Sequence, residues 1–528
     1  MISSGIVCVI LLAVVVLESC PPVVNSWTLS RTTAHLRRQR RRPKQGMMSR
    51  PTTQSLSAST SSNEDLFVGF DLGTSGARIS VIDCKYEEVY TKALSWQEAS
   101  SYSSCSYDDP DAWKDAVFTL LDTAKVHVDL SDVKSLCFSG TSASCLLLDS
   151  SSSSQTVSRS PRMYNYDVTS DDTAGTIAMK QLTKYAPAKH TALSPTGSLA
   201  KLLSWHAQAP IQPTEQLCHQ ADYLAYTFLG DSSLVGIVSD WHNCLKLGYD
   251  VRALNWPTWL TKCLADNSIP QSVLPQTIVS PGQRIGPISQ TIAEQTGLSA
   301  NQCVVVAGTT DSNAAFFAAT GKDATLGTAV TSLGSTLAIK QLSSQYVEDA
   351  SVGVYSHRFP SVLLQDTGKD KEAWLVGGAS NVGCAVLRSE GFSNEELEQL
   401  SRDIDPTVET PLDYYPLIKK GERFPVSDSS KEPVLTPKPD NRKDYLHGIL
   451  QGISTVECDG FNVLGKLGAS PMPPTVVMTS GGGSRNDMWI QMRQRRLQEA
   501  FGSDIQVAKA QNVEAGYGAA ILAASTFR

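Results

Sequence analysis

The chain has 528 residues, 41% hydrophobic and 18% charged, with a formal net charge of −7. That length exceeds what one hydrophobic core supports, so two or three globular domains are expected. Residues 1–63 hold eight basic side chains and one acid, Glu18, leaving 37 basic against 51 acidic residues in the remainder, a formal −14. A body that acidic argues against nucleic acid as a partner, because a phosphate backbone demands basic surface.

The first 63 residues read as an address. Residues 5–17, GIVCVILLAVVVL, form an apolar run too short for a membrane span of roughly 20 residues and suited to a signal peptide. From Ser19 to Asn63 there is no acid, the basic residues cluster, and Ser and Thr crowd positions 49–62. That is the composition of a transit peptide; a basic tail on a secreted protein would explain the charge but not the missing acids. The expectation is a signal peptide (1–26), a disordered transit-like segment (27–63) and delivery to a plastid stroma rather than the cytoplasm. No membrane association is expected of the mature chain. Twelve cysteines are scattered with no CxxC pair, several in apolar runs such as LCFSG and QCVVVAG. They read as reduced core thiols rather than a metal site or a disulfide framework.

The folded part starts at Leu66. LFVGFDLG (66–73), ARISVID (77–83) and EEVYTKALSW (87–96) predict three strands in an antiparallel meander. A helix follows from about Pro110 to His127, with Trp113, Val117, Leu120 and Leu121 on one face. VKSLCFSG (133–140) and SCLLLD (144–149) are further strand candidates. The same grammar returns in the second half. DATLGTAV (323–330) and STLAIKQL (335–342) flank a turn, VVMTSGGG (476–483) runs from strand into glycines, 484–501 is helical, and GAAILAAS (518–525) forms a closing helix. The stretch 403–447, rich in Pro, Asp and Lys, reads as a surface excursion. Two halves that each open with a meander point to duplication of one α/β unit, with a site between the copies.

Four constellations carry chemistry. Asp71-Leu72-Gly73-Thr74-Ser75-Gly76 puts an acid at a strand end before a turn whose N–H groups and hydroxyls can surround a phosphate, and Asp71 is placed to hold Mg²⁺. An Asp-capped hairpin is the alternative. Asp311, in AGTTDSNAA after an apolar strand, is either a general base or the cap of the following helix. Gly334-Ser335-Thr336 mirrors the first turn, and Ser480-Gly481-Gly482-Gly483-Ser484-Arg485-Asn486 places three glycines at a strand-to-helix junction where phosphate is favoured. No Walker A sequence is present.

The order DLGTSG, SGTS (139–142), QADY (220–223), AGTTD, TSLGST, SGGGSRN resembles the FGGY carbohydrate kinases, of the sugar kinase/heat-shock/actin ATP-binding superfamily, across residues 66–528. DWHNCLKLGYD, GVYSH, GGASN, LDYYPL and GERFP are similar to the cyanobacterial and plant plastid branch of pentulose kinases. The resemblance implies two actin-like (ribonuclease H-like) α/β domains, 66–320 binding sugar and 321–528 binding nucleotide, with the active site in the cleft between them. It implies ATP and Mg²⁺ as cofactors and a ketopentose as acceptor: D-ribulose first, D-xylulose second, another polyol third. Asp71 would serve metal and substrate, Ser142 and Asp311 the sugar, with Asp311 as base. Thr74, Ser75, Gly334, Ser335 and Thr336 would meet the phosphates, and Gly482, Gly483 and Asn486 the adenosine. SLAKLLSW (198–205) matches the family signature only loosely, which touches the sugar pocket and not the fold. A silent nucleotide-binding regulator on the same fold is the alternative of a different class.

Overall fold

The computed structural model describes residues 65–97, 107–151, 156–230, 236–365, 372–502 and 504–528. The targeting segments expected at 1–26 and 27–63 lie outside the described residues.

Strand Leu66–Leu72 pairs antiparallel with Gly76–Ile82, which pairs with Glu88–Ser95. On its other side Leu66–Leu72 pairs in parallel with Val133–Gly140, itself parallel to Val304–Val306 and Thr309–Thr310. The second half repeats this plan. Thr328–Leu333, Leu337–Ser343 and Trp374–Ala379 form the meander, and Val476–Ser480 and Gln506–Lys509 add in parallel on the far side of Thr328–Leu333. The expected duplication is therefore present strand for strand, although the strand within 323–330 begins only at Thr328.

Because both faces of each sheet are covered, the central strands are buried throughout instead of alternating with solvent. Val68, Phe70 and Leu72 pack with Trp113, Val117 and Leu120 of helix Pro110–Ala124. Phe67 turns the other way, into a cluster with Phe316 and Phe317 of helix Asp311–Thr320 and Ile521 and Leu522 of the closing helix Ala515–Ser525. Val330, Leu342 and Leu375 of the second sheet join the same cluster, so one apolar layer serves both sheets. The closing helix thus returns to the first sheet. Gly69 lets it meet the strand, since a Cβ there would lie 2.1 Å from the Ala520 nitrogen, and Gly518 lets it cross helix Asp311–Thr320, since a Cβ there would lie 1.8 Å from the Ala314 carbonyl oxygen.

The stretch 403–447 is more than a surface excursion. Tyr414, Leu417 and Phe424 are buried in the second core, and helix Arg442–Lys466 begins within it. The Phe424 ring fills the space that side chains at Gly378 and Gly460 would take, at 2.5 and 2.8 Å from their ideal Cβ positions. Glu422 accepts hydrogen bonds from Ser380 Oγ at 2.6 Å, the Asn381 N–H at 2.7 Å and the Tyr415 hydroxyl at 3.0 Å. GGASN, LDYYPL and GERFP are therefore parts of one packing unit. Its apolar positions are too sparse along the chain to show a period, so the burial was not visible in the sequence.

Candidate active site

The parallel strands end together. Asp71 is in register with Ser139, Ser139 with Thr309, and Gly140 with Thr310, immediately before Asp311. Strands in a sheet lie about 4.8 Å apart, so the backbones of Asp71 and Thr309, one strand removed, are about 10 Å apart. Two carboxylates 240 positions apart in the chain are thereby brought to one sheet edge, at the carboxyl ends of the strands where open α/β sheets bind ligands.

Asp71 is buried, accepts a hydrogen bond from Ser139 Oγ at 2.9 Å and lies 3.4 Å from the Arg78 guanidinium. Burial raises its pKa from 3.8 to about 6, with the charge of Asp311 adding to the rise. Arg78 also reaches Glu514 at 3.3 Å, at the N-terminus of the closing helix. In the turn that follows, Trp96 donates through its indole N–H to the Gly73 carbonyl at 3.1 Å and through its backbone N–H to the Ser75 carbonyl at 3.4 Å. Those bonds occupy the turn's acceptors, and the Thr74 and Ser75 side chains stay exposed.

Asp311 is the first residue of helix Asp311–Thr320, after Thr310, whose side chain makes no cap bond. Its carboxylate accepts from the Ser312 N–H at 2.6 Å. It is partly reached by solvent but crowded by protein, and this desolvation raises its pKa against the opposing effects of the Ser312 N–H, Lys340 and Lys246. Neither lysine stood out in the sequence. Lys340 occupies an alternating strand position that reads as solvent-facing, and Lys246 follows a helix of only four residues.

Ser142 sits half-buried in the loop leaving strand Val133–Gly140. Lys201, fully buried in helix Ser198–Gln208, donates to the carbonyls of Ala143 at 2.8 Å and Met163 at 2.7 Å, and burial pushes its amine down to about 8. Gln220 Oε1 accepts from the Thr141 N–H and hydroxyl at 3.0 and 3.1 Å. The loosely matching SLAKLLSW segment therefore holds the Ser142 loop through Lys201. A lone lysine inside an apolar helical run was the available signal.

In the second half Ser332 is in register with Ser480, which sets the 334–336 turn beside the glycine loop. The two supporting strands are locked from behind by a fully buried pair. Arg493 grips Glu457 at 2.6 and 2.7 Å and Thr479 at 2.7 Å, and Glu457 accepts from Thr331. Such a pair holds geometry rather than adding much net stability. The three glycines differ. Gly481 has a left-handed φ of 78° against Leu333, a Cβ on Gly483 would lie 2.7 Å from Leu333 and Trp489, and Gly482 faces open space. Asn486 caps helix Asp487–Phe501 through the Trp489 N–H and donates to Ser401 Oγ at 2.8 Å, so its side chain is already engaged in holding the loop. Ser335 and Thr336 are exposed, while the Gly334 carbonyl accepts from the Cys384 N–H at 2.8 Å.

Residues 66–318 match the FGGY family of carbohydrate kinases, N-terminal domain. The xylulose kinase of Staphylococcus xylosus is 22% identical over 477 residues, covering 87% of this chain and 90% of that one. The xylulose kinase of Escherichia coli K12 is 23% identical over 474 residues, covering 87% and 89%. Among solved structures, the xylulose kinase from Rhodospirillum rubrum superposes with a TM-score of 0.68 at 19% identity over 87% of this chain and 89% of its own. Plasmodium falciparum glycerol kinase with ADP gives 0.68 at 15% identity over 88% and 90%. Residues 66–318 belong to the FGGY carbohydrate kinases, the fold over most of the chain is the two-domain, actin-like fold of the solved sugar kinases, and the chain is a phosphotransferase that acts on an alcohol group of a sugar. The nine described cysteines are all free, and among the described residues no helix is long and apolar enough to cross a membrane.

Proposed function

We propose that this kinase phosphorylates the terminal hydroxyl of a ketopentose, with Asp311 as the proton acceptor. The observation that carries the reading is the registered pair of strand ends that brings Asp71 and Asp311 to one sheet edge. As the sugar oxygen bonds to the γ-phosphorus, the bond from phosphorus to the ADP oxygen breaks and the hydroxyl proton passes to Asp311. The exposed hydroxyls of Thr74, Ser75, Ser335 and Thr336 and the N–H groups of their turns meet phosphate oxygens. Gly482 and Gly483 border the adenosine, and Asn486 fixes the loop that carries them. Lys201 and Gln220 hold the Ser142 loop against the sugar.

Magnesium fits this site. Asp71 is a buried carboxylate whose proton affinity is raised, and no cluster of three metal-ligating side chains occurs among the described residues. One carboxylate completed by substrate phosphate oxygens is a common Mg²⁺ arrangement, and Asp71 would be its protein ligand. When bound, the ion neutralises charge on the transferring phosphate.

D-ribulose is the first acceptor, on the resemblance to the plastid pentulose kinase branch. D-xylulose is the second, favoured by the names of the relatives that span most of the chain. Several motifs behind the ribulose preference pack around Phe424, so they bear on ancestry more than on sugar contact. Initial rates of ADP formation with each pentulose at equal concentration test the order. A higher kcat/KM for D-ribulose supports it, a higher value for D-xylulose reverses it, and no sugar-dependent turnover removes the proposal in favour of a nucleotide-binding regulator. Import into a plastid remains part of the proposal, on the composition of residues 1–63.

A further inference from the structure

Lys340 lies in strand Leu337–Ser343, four residues after the Thr336 turn. Leu337 and Ile339 face the second core, so Lys340 faces the opposite way, toward the apolar layer shared by both sheets. From there its ammonium crosses to the other half of the molecule. It donates to Asn313 Oδ1 at 2.7 Å and to Ser312 Oγ at 3.1 Å, the two residues that follow Asp311. An ammonium has three N–H donors, so one is left over. Because lysine only donates, Asn313 must present its oxygen to Lys340, and its Nδ2 is left buried with no partner. The fold accepts that unsatisfied amide while keeping the lysine contact.

We propose that Lys340 is a positioning residue for the proton acceptor: anchored in the nucleotide half, it holds the first turn of the Asp311 helix and keeps a positive charge beside the Asp311 carboxylate. This rests on the reading of Asp311 as the base. The two groups affect each other in opposite directions. Burial pushes the Lys340 amine down to about 7 while Asp311 pulls it back up, and burial raises Asp311 while Lys340 and Lys246 lower it. Asp71 is the like charge in this set, its pKa raised to about 6 by burial and by the charge of Asp311, so its own titration is common to wild type and the Lys340 variants. Lys246 is the second cation. His242 sits between Thr309 Oγ1 and the Arg358 carbonyl at 2.7 Å from each, and burial keeps it and His357 neutral. Tyr355 is held protonated by burial. Between the titration of Asp311 and pH about 7 the pair is therefore carboxylate and ammonium, the state that base catalysis requires. The same lysine links the turn expected to meet ATP phosphates with the helix that carries the base.

The test is the pH dependence of kcat/KM in the full chain, with ATP and D-ribulose or, where it is the faster substrate, D-xylulose. It compares wild type, Lys340→Arg, Lys340→Gln, Lys340→Met and Asp311→Asn. Removing an opposite charge near a carboxylate raises its pKa by roughly 1–3 units. The Met and Gln variants should move the acid limb upward by at least about one pH unit, and Arg should return it to the wild-type position. Gln keeps a hydrogen-bonding end without the charge, so a wild-type limb in Lys340→Gln overturns the proposal, and it decides the matter if Lys340→Met folds poorly. Asp311→Asn separates the two claims. A fully active Asp311→Asn removes the base itself, whereas an inactive one with unshifted Lys340 variants removes only the role given to Lys340.

Discussion

Asp71 and Asp311 stand at the ends of two strands that flank the same neighbour, Val133–Gly140, and the charge of Asp311 raises the proton affinity of Asp71. Proximity of like charges is costly in the free protein and useful once cations arrive.

The cost should be measurable. The folded pKa of Asp71, about 6, exceeds the 3.8 of a free aspartate. A carboxylate raised in this way lowers stability at pH above its unfolded value, and the full penalty is present once the pH exceeds about 6. Asp71→Asn should therefore stabilise the nucleotide-free protein at pH 7.5 by on the order of 2 kcal/mol, with the gain fading toward pH 4. Urea melts at the two pH values check this, and a variant less stable than wild type at pH 7.5 would show that the Arg78 contact outweighs the burial cost.

The glycine loop separates packing from binding. Gly483→Ala should cost about 1–3 kcal/mol of stability, because its Cβ meets Leu333 and Trp489 at 2.7 Å. Gly482→Ala has open space on the protein side, so its melting temperature should stay at the wild-type value while KM for ATP rises and KM for the sugar holds. Equal changes in both KM values would place the nucleotide elsewhere.

Lys201→Met should loosen the Ser142 loop by leaving the Ala143 and Met163 carbonyls without their donor. An unsatisfied buried acceptor costs about 1–3 kcal/mol. In the folded fraction KM for the sugar should rise and KM for ATP should not. A rise confined to ATP would detach this loop from the sugar.

Phe424→Ala should destabilise by about 3–5 kcal/mol, since a fully buried ring is removed from between Gly378 and Gly460. The preference between ribulose and xylulose should be unchanged in what remains folded. A changed preference would return these motifs to the sugar site.

The sequence revealed the parts of this fold whose order is local. The Leu66–Ser95 meander, the Pro110 helix, the first two strands of the second meander (but not its third, Trp374–Ala379) and the closing helix declare themselves by period and turn chemistry. So do Asp71 and the 334–336 and 481–483 turns, because glycine and hydroxyl residues at strand ends have few other uses. What stayed hidden depends on contacts between distant segments. Lys340 looks solvent-facing until helix Asp311–Thr320 is laid beside it, and Asn486 is engaged by Ser401, 85 residues away. Phe424 is buried only because two glycines, on a strand and a helix remote in sequence, leave room for its ring.

The central claim is that Asp311 takes the proton, and kcat of Asp311→Asn, measured with nucleotide Kd on the same preparation, tests it most directly. Asparagine keeps the size of the side chain and an oxygen for the Ser312 N–H, and it removes the proton affinity. Base catalysis is worth about 10²–10⁴-fold, so kcat should fall by that order while Kd for ATP stays near the wild-type value. A variant that turns over at the wild-type rate would contradict the mechanism.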